Sequence, residues 1–344
     1  MKNRLIFFVL SGLILLLFIA NIFLGSVKIP AQEIVDILLG RDCSRESWYF
    51  IIINSRIPQA VTALLCGASL AVSGLMLQTV FANPLAGPSI LGISSGANLG
   101  VAIVMLCAGG TIPFLNSSAS SISPQFSLFT LIIFAAFLGS MAVMALILFF
   151  SSFIHNNLAL LIIGIMIGYV TTSAISLLNF FSTAEGVHSY VIWGMGNFGG
   201  VSLQWLPVFS IMSILGLSMA VLLIKPLNAL LLGNQYAINL GINIRRTRNL
   251  LIISTGLLTA VTTAFCGPIA FFGLAIPHIA RMLLGTNNHK PLMPVTILTG
   301  SALALFCNLI CTLPGENGII PLNAITPLLG APIIVYVTIK SKID

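Results

Sequence analysis

Long apolar runs separated by short polar interruptions make up most of the chain, and within the runs hydrophobic and polar positions do not alternate one by one. Ten runs stand out, at about 5–24, 57–80, 91–108, 126–150, 158–181, 206–224, 249–266, 269–284, 293–313 and 322–339. A helix needs about 20 apolar residues to cross a hydrocarbon core of roughly 30 Å. The pattern therefore predicts an all-α polytopic membrane protein, with about ten transmembrane helices in one domain spanning 1–344. A β-barrel would show short alternating segments instead. The eighth run is short and carries Gly267, Pro268, Gly273 and Pro277, so a broken or half-length helix is expected there. A membrane tolerates one only where protein or a cavity covers the freed backbone. The first run follows "MKNR" in the manner of a signal peptide, but it is too long and no A-x-A-like cleavage site follows, so it reads as a retained span.

Composition sharpens this picture. The 344 residues are 58% hydrophobic and 6% charged, against about 25% charged in a soluble domain. The net charge of +7 reflects Lys and Arg held on one side of a membrane rather than a nucleic-acid partner. With ten spans and the N-terminus inside, Lys2, Arg4, Lys225, Arg245, Arg246, Arg248, Arg281, Lys290, Lys340 and Lys342 fall inside. Lys28, Arg41, Arg45 and Arg56 fall outside, accompanied by Glu33, Asp36, Asp42 and Glu46. The positive-inside rule then places both termini and the 225–248 loop in the cytoplasm.

The chemistry that is missing narrows the function. All seven acids, including Glu185, Glu316 and Asp344, lie outside the predicted spans; ion-driven carriers need titratable groups inside them. The histidines His155, His188, His278 and His289 sit near span ends without metal-ligand spacing, and the six cysteines show neither metal nor redox spacing. No G-x-x-x-x-G-K-[ST] loop is present, so the chain does not bind ATP by that route. Gly92, Gly96 and Gly100 recur at four-residue spacing, as do Gly164 and Gly168, and small residues at that interval let helices approach closely in lipid. One segment departs from the apolar rule. No Lys or Arg occurs between Arg56 and Lys225; then "LLLGNQYAINLGINIRRTRNLLI" brings Arg245, Arg246 and Arg248 with no acid beside them. It reads either as a docking surface for a separate motor or as a topology anchor.

Several stretches resemble the permeases of the iron-siderophore, haem and cobalamin class of ABC importers. They are "SRIPQAVTALLCGASLAVSGLMLQTVFANPLAGP", "GISSGANLG", "VIWGMGNFGGVSLQWL", "LLLGNQYAINLGINIRRTRNL", "GPIAFFGLAIPHIARMLLGTNNHKPLMP" and "NAITPLLGAPI". The resemblance runs in order from about residue 50 to the C-terminus. It implies a type II ABC importer permease fold working as a homodimer in membrane lipid, with two cytoplasmic ABC ATPase subunits and an external or periplasmic substrate-binding protein. The cargo implied is a metal chelate (an iron-siderophore or haem), with cobalamin as the alternative. An ion-coupled carrier is the rival from another class. No cofactor is expected on this chain; ATP and Mg belong to the partner ATPase.

The resemblance also assigns residues. Segment 230–248 is implied to be the pair of short coupling helices seated on each ATPase, through Leu232, Gly233, Asn234, Ala237, Leu240, Gly241, Ile242, Arg245 and Arg246, with the turn at Gly241. Arg56 and Gln59 are implied to dock the binding protein. Helix packing and the path are implied to use Asn83, Pro84, Gly92, Gly96, Gly100, Gly267, Pro268, Gly273, Pro277, His278 and Arg281. The sequence departs from the family pattern where paired glutamates are common, with Asn234 and Gln235, and where docking charges are common, with Gln59, Asn308 and Thr312.

Overall fold

The computed structural model describes residues 2–41, 43–111, 124–154, 156–313, 318 and 320–343. Asp42, His155, Glu316 and Asp344 lie outside the described residues, as do the side chains of Lys2, Cys107, Lys340 and Lys342. Among the described residues the regular structure is helical throughout. The ten apolar runs become α1 (Lys2–Phe23), α4 (Ile57–Val80), α5 (Ile93–Thr111), α6 (Pro124–Phe153), α7 (Asn157–Phe181), α9 (Leu206–Leu222), α12 (Ile244–Cys266), α13 (Phe272–Leu284), α14 (His289–Thr312) and α15 (Leu322–Ile343). Short helices join them: α2 (Ala31–Leu38), α3 (Glu46–Ile51), α8 (Ala184–Gly194), α10 (Ile224–Leu231) and α11 (Asn234–Asn239). Six of the helices are long and apolar enough to cross a membrane unaided, α9 with α10 forms a pair bent by 48°, and α5, α13 and α15 have shorter apolar lengths.

α4 is the centre of the bundle. It packs against α14, α12, α13 and α9, and 83% of the most apolar stretch of its span is buried, against 17% for α1 and 28% for α7. Lipid is as apolar as leucine, so helices associate through close contact rather than through hydrophobic burial. Glycines make that contact here. A Cβ at Gly67 would overlap the Gly300 carbonyl of α14, and one at Gly74 would overlap the backbone of Gly273 in α13. Gly96 and Gly100 of α5 meet Gly139 and the Ala135 carbonyl of α6 in the same way, and Gly164 of α7 lies against the Leu91 backbone. Gly92 lies close to the Gly164 carbonyl, so Gly92, Gly96 and Gly100 all stand at close approaches between helices.

The broken eighth span is present. Residues 267–271 leave helical geometry, with Gly267 at φ 74° and Phe271 at φ 69°, and α13 then runs for 13 residues. Two side chains cover the freed backbone. Asn323 donates to the carbonyls of Pro268 (2.6 Å) and Gly194 (3.1 Å) and accepts from the Ala270 N–H (3.1 Å). Pro277 has no N–H to offer the Gly273 carbonyl four residues back. Gln78 of α4 supplies the substitute, its Nε2 donating to the carbonyls of Gly273 (3.4 Å) and Leu274 (3.2 Å).

Candidate coupling site at the basic end of the bundle

The segment from α10 to the start of α12 folds as two short helices with a glycine turn after each. Gly233 follows α10 at φ 97° and ψ 157°, a backbone region essentially closed to other residues, and opens α11. At the end of α11 the Ile242 N–H reaches the Ala237 carbonyl (3.0 Å) and the Gly241 N–H reaches Ile238 (2.8 Å), the paired bonds of a Schellman turn. Gly241 takes φ 79°, the left-handed conformation expected of it. Asn243 then caps α12, its side chain accepting from the Arg246 N–H at 3.0 Å.

The two helices have distinct faces. Leu232, Tyr236, Ile238 and Leu240 are 59–67% exposed, and Asn234, Gln235, Arg245 and Arg246 are exposed around them. This is an apolar patch with a polar and cationic margin. Ala237, expected among the contacting residues, has no exposed surface and lies on the inward face of α11, so its exposed neighbours are the ones placed to meet a partner. The three arginines divide likewise. Arg248 is buried and donates to the Ser151 carbonyl and to Asn157 Oδ1 (3.5 Å), while Asn157 Nδ2 holds the Val80 carbonyl at the end of α4 (2.7 Å). Arg248 is thus the anchor, and Arg245 and Arg246 face outward. The ion pair found among the described residues is Arg41–Asp36, in the segment after α1, so no described acid of this chain neutralises the basic end.

Behind α10 a hydrogen-bonded cluster ties the segment to the spans. His289 is 1% exposed. Its Nδ1–H and its backbone N–H both donate to Asn228 Oδ1 of α10 (3.0 and 2.8 Å). Its Nε2 accepts from the hydroxyl of Thr79 on α4 (2.9 Å), which is shared with the Leu75 carbonyl. The tautomer follows from this network, since Asn228 Oδ1 can only accept. Asn228 Nδ2 continues to Asn288 (3.0 Å). Next to it Arg281 donates to Gln78 Oε1 (2.6 Å) and His278 Nε2–H to the Pro84 carbonyl (3.0 Å). Asn83 Oδ1 accepts from Leu85 N–H (2.9 Å), shaping the same corner. Gln78, Thr79, Asn83, Pro84, His278, Arg281 and His289 line a cavity of ≈ 490 Å³ whose wall also includes Leu230 and Leu231 of α10.

Asn83, Pro84, His278 and Arg281, quoted from separate stretches, therefore meet at one corner, and Gly273 is tied to it through Gln78. Gly267 and Pro268 sit instead at the far end of α13, held by Asn323. Gln78, Thr79, Asn228 and Asn323 are not singled out by the sequence pattern. A lone polar residue inside or bordering an apolar run was the available sign for Gln78, Thr79 and Asn323. His278 and His289 lie near span ends as the sequence indicates, and both are buried and hydrogen-bonded there.

At the opposite end Arg56, expected to dock a partner, is 6% exposed. Its guanidinium donates to the carbonyls of Ile22 (2.7 Å), Phe23 (3.1 Å) and Val27, the chain leaving α1. A helix ends with unsatisfied carbonyls, and Arg56 satisfies them, so its guanidinium is spent fastening the chain that leaves α1 and little of it is open to a docking partner. Gln59 is half-buried and donates to Asn308 Oδ1 (2.9 Å); Asn308 donates to Asn21 Oδ1 (2.7 Å), and Asn21 to the Leu305 carbonyl (3.0 Å). Gln59 and Asn308, two of the positions where the family commonly has docking charges, thus form with Asn21 a neutral ladder joining α1, α4 and α14.

Comparison with known proteins agrees with this architecture along its whole length. The chain is 31% identical over 329 residues to the hemin transport system permease protein HmuU of Yersinia pestis, covering 95% of each. It is 32% identical over 314 residues to the vitamin B12 import system permease protein BtuC of Photorhabdus laumondii, covering 87% of this chain and 88% of that protein. Its fold matches a solved metal-chelate type ABC transporter in an inward-facing conformation, with TM-score 0.81 and 29% identity over 97% of this chain and 99% of the other. The sequence profile of the FecCD transport family matches residues 13–340, and the chain belongs to that family of ABC importer permeases, which are transport components rather than enzymes.

Proposed function

We propose that this permease carries a metal chelate, an iron-siderophore or haem, inward across a bacterial inner membrane, as a homodimer on two ATPase subunits. In this reading α10 and α11 seat in the ATPase through Leu232, Tyr236 and Leu240, with Arg245 and Arg246 meeting acidic groups at the margin. The termini and this segment face the cytoplasm, an external binding protein delivers cargo at the other end, and ATP and Mg stay on the partner. ATP-driven movement of α11 reaches the spans through a rigid element whose position both sites bias.

The observation that carries the reading is the form of the 224–248 segment. It pairs an exposed apolar patch and unneutralised arginines with a buried cluster fastening its rear to α4 and α14. A topology anchor would need the charges alone. The absence of buried acids among the described spans speaks against an ion-driven carrier. The test is uptake into vesicles by the permease reconstituted with its ATPase and binding protein. Labelled ferric chelate or haem should accumulate only with ATP, and the permease alone should hydrolyse none. Accumulation driven by an ion gradient without ATPase would overturn the proposal, and uptake of cobalamin alone would reassign the cargo.

A further inference from the structure

The cavity behind α10 holds a charge that no described acid of the chain neutralises. Arg281 is half-buried in its wall and is fixed by one bond, Nη1 to Gln78 Oε1 at 2.6 Å. Gln78 is itself held by the α13 carbonyls, so the guanidinium is preorganised. None of the histidine or asparagine groups on the wall carries negative charge, and the described acids Glu33, Asp36, Glu46 and Glu185 belong to α2, α3 and α8, none of which lines the cavity. The space of ≈ 490 Å³ exceeds what one side-chain end fills. Its rim is amphipathic: Leu85 and Leu231 are 49% and 45% exposed beside the arginine.

We propose that this cavity seats the phosphate of an anionic phospholipid, with Arg281 as its cation and Leu85 and Leu231 against the glycerol and first methylenes. An acidic side chain of a partner would match the charge and leave the leucines open, whereas a phospholipid brings both charge and hydrocarbon. The basic end of a membrane bundle is also where lipid phosphates lie, and basic pockets between spans are a recurrent headgroup site. Because Leu230 and Leu231 belong to α10, an occupied cavity would brace the coupling segment from behind. The inference needs only the membrane setting and stands apart from the identity of the cargo.

The test is native mass spectrometry of the delipidated full-length permease, titrated with phosphatidylglycerol or cardiolipin and, separately, with phosphatidylcholine. The wild type should retain anionic lipid, and Arg281→Gln should weaken that binding about five- to tenfold. Lys225→Gln, an exposed cation on α10 outside the cavity, should change it less than about twofold. Leu85→Asp places negative charge at the rim while sparing the Arg281–Gln78 bond, and should exclude anionic lipid as well. It also serves if Arg281→Gln fails to fold. Equal binding by wild type, Arg281→Gln and Leu85→Asp would overturn the proposal. So would displacement of lipid by millimolar inorganic phosphate, which would make this a site for the free oxyanion. Unchanged lipid retention with weakened ATPase association in Arg281→Gln would assign the cavity to a protein carboxylate instead.

Discussion

His289 offers the sharpest test of how movement of the coupling segment reaches the spans. Leucine at this position occupies comparable space, so His289→Leu removes the hydrogen bonds without leaving a large void. Two side-chain bonds are lost, to Thr79 and to Asn228. Neither partner becomes an orphan, because Asn228 Oδ1 keeps the backbone N–H of residue 289 and Thr79 keeps the Leu75 carbonyl. Inter-helix hydrogen bonds in membranes average about 0.6 kcal/mol, so the stability loss should be about 1 kcal/mol and the assembly should survive. Coupling between sites commonly amounts to about 1–3 kcal/mol. Cutting the link between α10 and α4 should therefore lower cargo moved per ATP by about five- to tenfold while ATPase binding holds. The assay is uptake and ATP hydrolysis measured together in proteoliposomes at matched amounts of assembled complex, with His289→Asn, which keeps a donor on a shorter arm, recovering part of the ratio. An unchanged cargo-to-ATP ratio in a folded His289→Leu protein would refute the linkage argument, and loss of ATPase binding would show a purely structural role.

Three further outcomes follow from the geometry. A Cβ at Gly241 would meet no neighbour, so Gly241→Val perturbs only the backbone, by about 1–2 kcal/mol for a positive φ; substrate stimulation of the ATPase should fall, and Gly241→Asn, which tolerates that conformation, should retain it. Cysteines at Tyr236 and Leu240 should crosslink to the ATPase and react with thiol reagents from the cytoplasmic side, whereas one at Ala237 should be protected from both; labelling of Ala237→Cys at the rate of Tyr236→Cys would contradict its burial. Arg56→Gln should cost about 1.5–3 kcal/mol through lost charge-assisted bonds to the end of α1, read as a lower thermal midpoint with binding-protein affinity within about twofold of wild type; a large affinity loss at unchanged stability would restore the docking role.

The spans were legible because lipid demands long apolar runs, and each of the ten runs became a helix. Their ends were less so. The second span begins near Glu46 rather than at residue 57, since a π-helical turn over Ile52–Arg56 carries α3 into α4, and the polar "NSR" within it reads as loop. α2 and α8 are too short to register as apolar runs. The half-length eighth span was visible in its glycines and prolines, but its compensation was not. Whether the Gly273 carbonyl freed by Pro277 finds a donor depends on Gln78, almost 200 positions away in the chain. The same limit applied to Arg56: spacing placed it at a span end, and only the fold shows that the chain leaving α1 occupies its guanidinium.

The two polar regions at opposite ends of the bundle share the same residue chemistry and differ in closure, which is the stronger argument for their roles. The ladder of Gln59, Asn308 and Asn21 is neutral and ends on the Leu305 carbonyl, and Arg56 ends on three carbonyls of the α1 terminus. These donors are spent within the chain, so they fasten helices and offer little to a partner. The basic end begins in the same way, with Asn228, His289 and Thr79 satisfied among themselves, but it continues into Arg245, Arg246 and Arg281, whose charge no described carboxylate matches. Buried charge is costly unless paired, so the arginines remain toward the surface and the cavity, where a partner's acids or a lipid phosphate can pair them. A network closed at the rear and open at the front is rigid where it meets the spans and adaptable where it meets another molecule. Transmission of movement requires that combination, and the closed ladder at the other end does not have it.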